Sequence, residues 1–537
     1  MTTQPSKDTT KYWSRESPEG PWDAIVVGSG MSGMTCAAML AKLGRRVLVL
    51  EQHYVPGGYT HAFPRKGYVW DVGVHAIGEV TQHSVTGRLL HHFTDGRLKW
   101  SSLGPVYEEF HFPDGFRIDF PDNPKQFRAN LLEAFPDEEA AIDAFLLRVR
   151  EVAGTMRSYM AARTLPRRLV GPVEWLIARR AREFLERNTH DELASLTDNP
   201  QLQAVFAAQW GYCGATPSRS SFAVQALITR HYTHGAYYPE GGSPEIARQL
   251  LRTVAEAGGW TRILADVDQI LIENGRATGV VLQDGETIRA KKVISAAGVG
   301  STVRRLLPEA VRASSWAQEV TQLEAGPAHV CLYLGFKGDI RAAGASGANK
   351  WFYDTWDTEE DMWKVEDPDG LPAAEVLYCS FPSLKDPLHD PGPEQRHTGE
   401  VVTFVPWETF AEWQGTRSRR DRGERYSRLK EAMEKALLAQ FLERMPALRD
   451  MVDYVELSTP VTSDYFVRPV KGSIYGLLPT PARFRSPWLR PRSPIRNLYF
   501  GSSDVAMVGV IGAMMGGVLA ATASDPVRAV RLLRRLA

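Results

Sequence analysis

The chain has 537 residues, enough for roughly two to four domains and a large buried core. Lysine plus arginine number 63 and aspartate plus glutamate also number 63, so the charge balance gives no indication of a nucleic-acid-binding protein. The four cysteines are scattered without a C-x-x-C spacing, which argues against a disulfide framework and a cysteine-based zinc site. No metal and no nucleic-acid partner are predicted.

Neither end of the sequence predicts a targeting segment. Residues 1–20 are polar and lack the apolar core of a signal peptide, which predicts a cytoplasmic protein. Near the C-terminus, Val505–Ala523 is uncharged and long enough to cross a bilayer. It contains four glycines and few large aliphatic residues, as is typical of a helix packed tightly inside a protein. We therefore predict a buried helix and no transmembrane span.

The stretch Asp23–Glu51 carries the most informative pattern. Short apolar runs at Ala24–Val27 and Val47–Leu50 are typical of strands that are buried on both faces. Between them, Met34–Leu43 contains good helix formers and no proline. The stretch therefore predicts a strand–helix–strand unit with two parallel strands.

The turn between the first strand and the helix has the spacing G-x-G-x-x-G. Gly28 allows the tight bend, Gly30 lets the backbone approach a pyrophosphate, and Gly33 lets the helix pack closely on the strand. The helix N-terminus offers unpaired N–H groups and a partial positive charge to the phosphates. Glu51, at the end of the second strand, is placed to accept hydrogen bonds from a ribose diol. Together these features predict a bound dinucleotide.

The dinucleotide indicated is FAD. A second G-x-G-x-x-G between two strands would mark a separate nicotinamide domain, and the sequence contains none. Instead, the pair Gly57-Gly58 follows the ribose-binding acid, and Asp504 precedes the glycine-rich C-terminal helix. This arrangement fits FAD bound along its whole length, with Asp504 meeting the ribitol directly or the pyrophosphate through water.

The rest of the chain alternates between helical and strand patterns. Val106–Phe120 alternates apolar and polar residues around a Pro-Asp-Gly turn and predicts a hairpin. From Pro124 to about Arg230 the pattern is helical and predicts an inserted lobe. Glu394–Glu400 is interpreted as a polar connection. Later strands are predicted at Lys292–Ala297, Ala328–Phe336, Glu375–Phe381, Val401–Val405 and Asn497–Phe500, and a long amphipathic helix at Tyr426–Glu443.

Two basic segments suit a membrane surface. Arg163–Arg187 contains seven arginines among tryptophan, leucine and phenylalanine residues, and Val527–Leu536 predicts an amphipathic helix with four arginines. Charge runs are also found on ordinary solvated faces, and both interpretations stay open for Arg163–Arg187.

Several separate blocks of sequence resemble one family of flavoproteins. They read VVGSGMSGM, LVLEQH, GGYTHAF, WDVGVHAIG, HYTHGAYYPEGGSPEIA, VISAAG, FPSLKDP, NLYFGSSD and GVIGA. Over residues 22–525 the chain resembles the phytoene desaturase, carotenoid isomerase and all-trans-retinol 13,14-reductase family, and most of all its retinol saturase branch. Two departures bear on the substrate: Tyr59 stands where many desaturases have arginine after the double glycine, and Met507–Val510 replaces a more polar run of the saturases.

The resemblance implies an α/β fold in which a Rossmann-like FAD-binding domain is interleaved with an α+β substrate domain. The FAD-binding domain is predicted at residues 20–80, 235–300 and 455–525. The substrate and membrane-facing domain is predicted at residues 81–234 and 301–454, and a basic amphipathic helix at residues 526–537.

The resemblance also implies the site residues. Predicted FAD contacts are Gly28, Gly30, Ser32, Gly33, Glu51, Gln52, Gly57, Gly58, His61, Val267, Asp504, Ile511 and Gly512. Gly241, Gly242 and Tyr475 are predicted to face the substrate, and His75, Tyr237 and Tyr238 are the candidate catalytic proton donors.

The implied reaction moves a hydride between flavin N5 and a substrate carbon, with a proton transferred separately. A polyene has no handle for acid–base catalysis, so the protein mainly needs a dry tunnel that holds one C=C bond against the flavin. Saturation, desaturation and isomerisation all stay open, as do the electron partner and the identity of the lipid. The alternatives are a flavin amine or amino-acid oxidase, and a flavin-free lipid-binding protein of the GDP-dissociation-inhibitor type. The sequence leaves open whether the chain forms an oligomer.

Overall fold

The computed structural model describes residues 12–165, 177–359, 362–417 and 419–536. A six-stranded parallel sheet forms one half of the molecule. Its strands are, in spatial order, Trp13–Ser14, Trp260–Arg262, Val47–Leu50, Ala24–Val27, Val293–Ser295 and Leu498–Phe500.

The strand order reverses at Ala24–Val27. The chain leaves this strand and returns beside it as Val47–Leu50, whereas the strand on its other side, Val293–Ser295, comes from much later in the sequence. In open parallel sheets, a crevice for ligands forms at the carboxyl ends of the strands where the order reverses. The glycine-rich turn after Ala24–Val27 lies at this point.

The glycine-rich C-terminal segment is the buried helix Gly509–Ser524, as its composition predicts. It packs against the helix Met31–Lys42, and a Cβ atom at Gly517 would collide with the carbonyl oxygen of Ser32. Small residues are therefore required where the two helices meet. Among the helices of the described residues, none is long and apolar enough to span a membrane.

A seven-stranded sheet forms the other half. Its strands are, in spatial order, Val452–Ser458, Ala328–Lys337, Arg396–Val405, Val376–Ser380, Asn349–Tyr353, Val106–His111 and Arg117–Pro121. The last two strands are the predicted hairpin, and they pair antiparallel. Because this sheet takes strands from residues 106–121 and 328–458, the two halves are interleaved along the chain.

Smaller sheets connect the two halves. They consist of Val267–Glu273, Arg276–Leu282 and Thr287–Arg289; of Ala62–Arg65 and Tyr68–Asp71; and of Trp100–Ser102 and Tyr237–Pro239.

Two details differ from the sequence pattern. The interpretation of Glu394–Glu400 as a polar connection is wrong, because the buried strand Arg396–Val405 includes Glu400. A carboxylate in the middle of a sheet breaks the apolar pattern from which strands are predicted. The strand Val452–Ser458 belongs to the seven-stranded sheet, so the chain returns to the six-stranded sheet only after it.

The described parts of the inserted lobe, residues 124–165 and 177–230, are mainly helical, as predicted. The described α-helices of four or more residues are Met31–Lys42, Val85–Phe93, Pro124–Ala134, Glu139–Arg163, Arg179–Glu186, Thr189–Ala194, Pro200–Ala207, Phe222–His231, Pro244–Glu256, Glu309–Arg312, Ser315–Thr321, Arg419–Arg444, Pro460–Phe466, Pro481–Arg485, Gly509–Ser524 and Pro526–Leu536.

Candidate active site

One long cavity joins the two sheets. At one end it is lined by residues at the carboxyl edge of the six-stranded sheet, including Gly28 and Glu51. At the other end it is lined by residues of the seven-stranded sheet, including Trp351, Tyr378 and Phe404. We call the first part the nucleotide half and the second part the aromatic half.

Two helix N-termini open into the nucleotide half. The helix Met31–Lys42 begins after Gly30 and the helix Gly509–Ser524 begins after Val508, and neither start has a side-chain cap. Uncapped N-termini present free N–H groups and partial positive charge. A Cβ atom at Gly30 would meet nothing within 4 Å, so the backbone is open to the cavity at this residue. The site suits an elongated anion such as a pyrophosphate.

Gly58 comes into close contact with the first of these turns. Its backbone has a φ of +56°, and a Cβ atom there would lie 2.9 Å from the Cα atom of Gly30. The amide of the neighbouring Gly57 donates a hydrogen bond to Ser29 Oγ over 3.1 Å. The double glycine therefore places a second stretch of backbone against the glycine-rich turn.

Glu51 is buried at the end of its strand. Its Oε2 atom accepts hydrogen bonds from Ser29 N over 2.9 Å and Ser29 Oγ over 2.6 Å, and its Oε1 atom accepts one from His53 N over 2.8 Å. Burial raises the pKa of the carboxyl group and these hydrogen bonds lower it. A carboxylate offers about four acceptor positions, so it retains capacity for a hydroxyl in the cavity.

Asp504 joins two loops at the centre of the cavity wall. Its Oδ2 atom accepts a hydrogen bond from Val299 N over 2.7 Å, and its Oδ1 atom accepts one from Leu477 N over 3.0 Å. The side chain thus links the loop that follows the strand Val293–Ser295 to the loop that contains Leu477, and it also lines the cavity.

Four other predicted cofactor contacts also line the cavity: Ser32, Gln52, His61 and Val267. Ser32 Oγ donates to the carbonyl oxygen of Gly501, and Gln52 Nε2 donates to that of Phe466 over 2.9 Å. His61 Nδ1 contacts the carbonyl oxygen of Gly58 over 2.6 Å, and burial lowers the pKa of its ring. Their side chains hold the cavity wall together.

Other predicted cofactor residues lie behind the wall. Gly33 faces the strand, where a Cβ atom would collide with the carbonyl oxygen of Gly28. Ile511 and Gly512 lie on the side of their helix away from the cavity, which is lined by Gly509, Val510 and Ala513. Gly57 is adjacent to the lining residue Gly58 but is not itself among the described lining residues.

No sequence pattern predicts the ion pair that lines the nucleotide half. Arg468 donates from Nη1 and Nη2 to the two carboxylate oxygens of Asp266, each over 2.8 Å, and both residues line the cavity. The guanidinium of Arg305 lies near the same pair. No local motif links these two residues, because they are 202 positions apart in the chain.

The aromatic half is built around Tyr212, Trp351 and Tyr378. The ring centroids of Trp351 and Tyr378 are 4.6 Å apart, and those of Tyr212 and Trp351 are 5.4 Å apart. Behind these rings, Glu108 accepts hydrogen bonds from Tyr212 Oη and Gln209 Nε2, and burial raises its pKa to about 7. The wall itself is therefore largely apolar, and its acid lies one layer behind it.

Of the residues predicted to face the substrate or to donate protons, His75 and Tyr475 line the cavity. Tyr238 is buried, and its hydroxyl donates to Asp71 Oδ2. The structure does not bring Tyr237, Gly241 or Gly242 to the described cavity wall. Tyr237 donates to the carbonyl oxygen of His234 over 3.4 Å, Gly241 is exposed, and its amide donates to Asp386 Oδ1 over 3.0 Å.

This geometry has a counterpart among known proteins. The model of the family described as flavin containing amine oxidoreductase matches residues 31–523. The chain belongs to the flavin-containing amine oxidoreductase family. The match takes in the seven-stranded sheet, four of the six parallel strands and most of the residues that line the cavity.

The relatives are similar over most of their length. All-trans-retinol 13,14-reductase of Rattus norvegicus is 33% identical over 525 residues, covering 93% of this chain and 85% of that protein. The protein of the same name from Danio rerio is 31% identical over 517 residues, covering 92% and 84%. Prolycopene isomerase 1, chloroplastic, of an Oncidium hybrid cultivar is 27% identical over 470 residues, covering 85% and 76%.

Solved structures share the fold. An oxidoreductase from Methanosarcina mazei has a TM-score of 0.60 and 17% identity, covering 92% of this chain and 98% of that one. Cyclohexylamine oxidase from Brevibacterium oxydans has a TM-score of 0.58 and 17% identity, covering 95% and 99%.

As a member of the flavin-containing amine oxidoreductase family, the chain is an FAD-dependent oxidoreductase. The described residues fit this cofactor. The open space at Gly30 and the two uncapped helix starts suit its diphosphate, and Glu51 has acceptor capacity for a ribose. Among the groups of His, Cys, Asp and Glu in the described residues, none could hold a metal ion.

Proposed function

We propose that this enzyme acts on a carbon–carbon double bond of an apolar polyene or isoprenoid lipid, by saturation, desaturation or isomerisation. The observation that carries the proposal is the apolar wall of the aromatic half. The charged side chains among the described lining residues, Glu51, Asp266, Arg305, Arg468 and Asp504, all belong to the nucleotide half. An uncharged lipid loses little solvation in such a wall, whereas an ammonium group would lack a carboxylate partner.

The residues proposed to hold FAD lie along the cavity, and each would contact a different part of the cofactor. The backbone at Gly30 and Gly58 would hold the diphosphate, Glu51 a ribose, Val267 the adenine end, and Asp504 the ribitol side. When bound, the flavin supplies hydride chemistry at its ring. The chain positions the lipid beside it.

The rings of Tyr212, Trp351 and Tyr378 would bind the lipid and exclude water. Each has an exposed apolar face toward the cavity, while hydrogen bonds from Tyr212 and Trp351 to Glu108 fix two of the rings. Fixed rings hold one double bond in place, which is the main requirement for a substrate without polar handles. Tyr59 and Val510, which belong to the two departures from the family pattern, also line the cavity and would shape it for a particular lipid.

The relatives differ in the reaction that their names describe. Two are named for reduction of all-trans-retinol and one for isomerisation of prolycopene. Both descriptions concern polyenes, which supports the substrate class and leaves the reaction to experiment.

An absorption spectrum under anaerobic conditions tests the proposal. One sample of the purified holoenzyme is reduced with dithionite and mixed with all-trans-retinol, a carotenoid or an unsaturated fatty acyl ester. A second sample is kept oxidised and is mixed with the same lipids or with benzylamine. Reoxidation by one polyene, with a product two hydrogens heavier, would show saturation. An isomer of unchanged mass would show isomerisation. Reduction of the oxidised flavin by benzylamine, with no response to any lipid, would replace the proposal with an amine oxidase.

We also propose that the enzyme takes its lipid from a membrane surface as a peripheral protein. A lipid of about 20 carbons loses on the order of 10 kcal/mol or more on entering water, at about 0.8 kcal/mol per CH₂. Direct docking avoids that barrier.

The helix Pro526–Leu536 offers a docking face. Its buried Ala529 packs on the protein, whereas Val527 and Val530 are 62% and 39% exposed and arginines at 531, 534 and 535 face outward. Arginines near an anionic leaflet contribute about 1 kcal/mol each.

The second candidate, Arg163–Arg187, is described only in part, because residues 166–176 lie outside the described residues. At its ends, Arg163 is buried and donates to Tyr159 Oη over 2.7 Å, while Arg179 and Arg180 pair with Glu183 and Glu151. Arg163 therefore belongs to the protein interior, and the exposed arginines of this segment remain a proposed contact.

Liposome pelleting with anionic vesicles tests the docking helix. Changing the arginines at 531, 534 and 535 to glutamate should release the protein from vesicles, since about three favourable contacts become repulsive. The control changes Arg425, Arg428 and Lys435, on the exposed side of the helix Arg419–Arg444, to glutamate. Equal pelleting of both variants would exclude this helix as the docking face.

A further inference from the structure

A buried acid lies in the middle of the seven-stranded sheet. Glu400 is 1% exposed, and its neighbours across the sheet are Tyr333 on one side and Ser380 on the other. Burying a carboxylate is costly unless a partner or a proton compensates it. The cavity wall provides the partner.

That partner is His75. Its Nδ1 atom lies 2.9 Å from Glu400 Oε2. Among the described residues, neither His75 Nδ1 nor either carboxylate oxygen of Glu400 has a hydrogen-bond partner of good geometry, and this includes the contact between the two side chains. Because Nδ1 is buried while the ring lines the cavity, the ring edge with Nε2 faces the cavity.

Other titratable groups surround the pair. Lys385 Nζ donates to the carbonyl oxygen of His75 over 2.8 Å, and Asp71 ends the strand that precedes His75. From the seven-stranded sheet, Tyr378 packs its ring against that of His75 at 5.1 Å, and His329 faces the same ring. The pair is thus enclosed on the protein side and open toward the aromatic half.

Burial acts in the same direction on both partners. It raises the pKa of Glu400 well above its ordinary value and, with the nearby Lys385, lowers the pKa of His75 to about 3. These shifts favour the uncharged form of each partner. In that form the carboxyl O–H can donate to Nδ1, which lies 2.9 Å from Oε2, while the ring carries its own proton on Nε2.

We propose that Glu400 and His75 form a proton relay that opens into the aromatic half at Nε2 of His75. The inference rests on the proposed function, in its reductive direction. The Nε2 proton forms a C–H bond with one carbon of the substrate double bond, using the electron pair of that bond. The proton of Glu400 moves to Nδ1, so His75 stays neutral and Glu400 becomes a carboxylate.

The electron balance needs one hydride equivalent at the other carbon, and bound reduced FAD would supply it. Lys385 stabilises the carboxylate that is left, since its charge lowers the pKa of Glu400. Solvent restores the proton after each turnover. His75 is thus a catalytic residue, and Glu400 is a positioning residue that sets its tautomer and holds the second proton.

Nitrogen NMR of the holoenzyme with labelled histidine reads the tautomer without turnover. The chain has 13 histidines, and the His75 signals are assigned by their loss in His75→Gln. The expected spectrum shows a protonated Nε2 and an unprotonated Nδ1 at pH 7. A protonated Nδ1 with a bare Nε2 would overturn the proposal.

Glu400→Gln separates proton transfer from positioning. The amide can donate to Nδ1 and keep the tautomer, but it has no proton to transfer. The flavin spectrum and the His75 signals should stay unchanged, while reoxidation of reduced flavin by the polyene slows by roughly 10²- to 10⁴-fold. A purely structural Glu400 would instead leave the rate at its wild-type value.

The matched control is Glu456→Gln, because Tyr333 pairs with Glu456 on the strand opposite Glu400. It should react at the wild-type rate. If Glu400→Gln fails to fold, His75→Gln must show the same slowing, and a wild-type rate there would overturn the relay. A wild-type enzyme that reacts with no polyene would refute the proposed function, whereas the NMR tautomer would still decide how the pair is protonated.

Discussion

The two halves of the cavity are constructed differently. In the nucleotide half, the ligand-facing surface is mostly backbone, presented by Gly30 and Gly58 and fixed by Glu51, all within a short stretch of sequence. In the aromatic half, the surface consists of side chains such as Tyr212 and Tyr378, which come from distant parts of the chain. A backbone site is fixed by local turns, whereas a side-chain site depends on how the two sheets pack.

The halves also differ in where they keep charge. Charged side chains line the nucleotide half directly, among them Arg468 and Asp266. In the aromatic half, the acids Glu108 and Glu400 are buried one layer behind the wall. The cavity thus has a polar end, which suits the cofactor, and an apolar end whose acids lie behind the wall.

Blocking the backbone site gives the largest expected effect. Gly30 has a φ of −63° and a ψ of 172°, which any residue adopts, and its Cβ position opens into the cavity. Gly30→Val should therefore fold but lose FAD affinity by at least about tenfold, roughly 1.4 kcal/mol. Flavin content per protein and a thermal melt measure the two properties.

The control for that change is Gly154→Val. Gly154 lies on the helix Glu139–Arg163, and a Cβ atom there also meets nothing within 4 Å, but it is remote from the cavity lining. It should keep its flavin. Full flavin content in Gly30→Val would contradict the assignment of the diphosphate to this turn.

Asp504→Asn tests the junction of the halves. The carboxylate accepts hydrogen bonds from Val299 N and Leu477 N, and an amide can satisfy only one of these donors. One buried N–H is left without a partner, so the free energy of unfolding should fall by about 1–3 kcal/mol. Denaturant unfolding of the holoenzyme measures it, and an unchanged midpoint would show that the loops are held in another way.

A fall in pH should lower the free energy of unfolding, because the buried imidazoles of the aromatic half then take up protons. Burial lowers the pKa of His329 from 6.5 to about 4, so this group contributes stability that is present above pH 6.5 and lost as the pH falls toward 4. In His329→Gln, the loss of unfolding free energy between pH 7 and pH 5 should be smaller than in the wild type.

The exposed histidine His190 provides the comparison, because His190→Gln should retain the wild-type pH dependence. Denaturant titrations at the two pH values measure all three proteins. Identical slopes for His329→Gln and the wild type would mean that another group dominates acid sensitivity.

The smallest effect is expected at the outer end of the nucleotide half. Arg468 and Asp266 form a partly exposed pair, with side-chain exposures of 28% and 25%. Arg468→Met should weaken FAD binding by about 0.2–1 kcal/mol, less than tenfold, as is usual for pairs near solvent. Calorimetric titration of the apoprotein measures it, and a loss as large as that of Gly30→Val would place a phosphate at the arginine instead.

The sequence could predict the nucleotide half because its pattern is local. The turn Gly28–Gly33 and the acid Glu51 belong to one strand–helix–strand unit, so their relative geometry follows from that unit. Likewise, the glycines of Gly509–Ser524 predicted a buried helix, since only small residues allow such close helix packing.

The sequence alone determined that this chain has a parallel sheet with a glycine-rich turn, an acid placed to bind the ribose of a dinucleotide, and a tightly packed C-terminal helix. Tertiary structure decided which side chains meet in the aromatic half and that Glu400 lies behind His75, more than 300 residues away in the chain. It also decided that Tyr238 reaches Asp71 rather than the cavity. Local spacing fixes the backbone of a turn, but contacts between distant strands exist only once both sheets have packed.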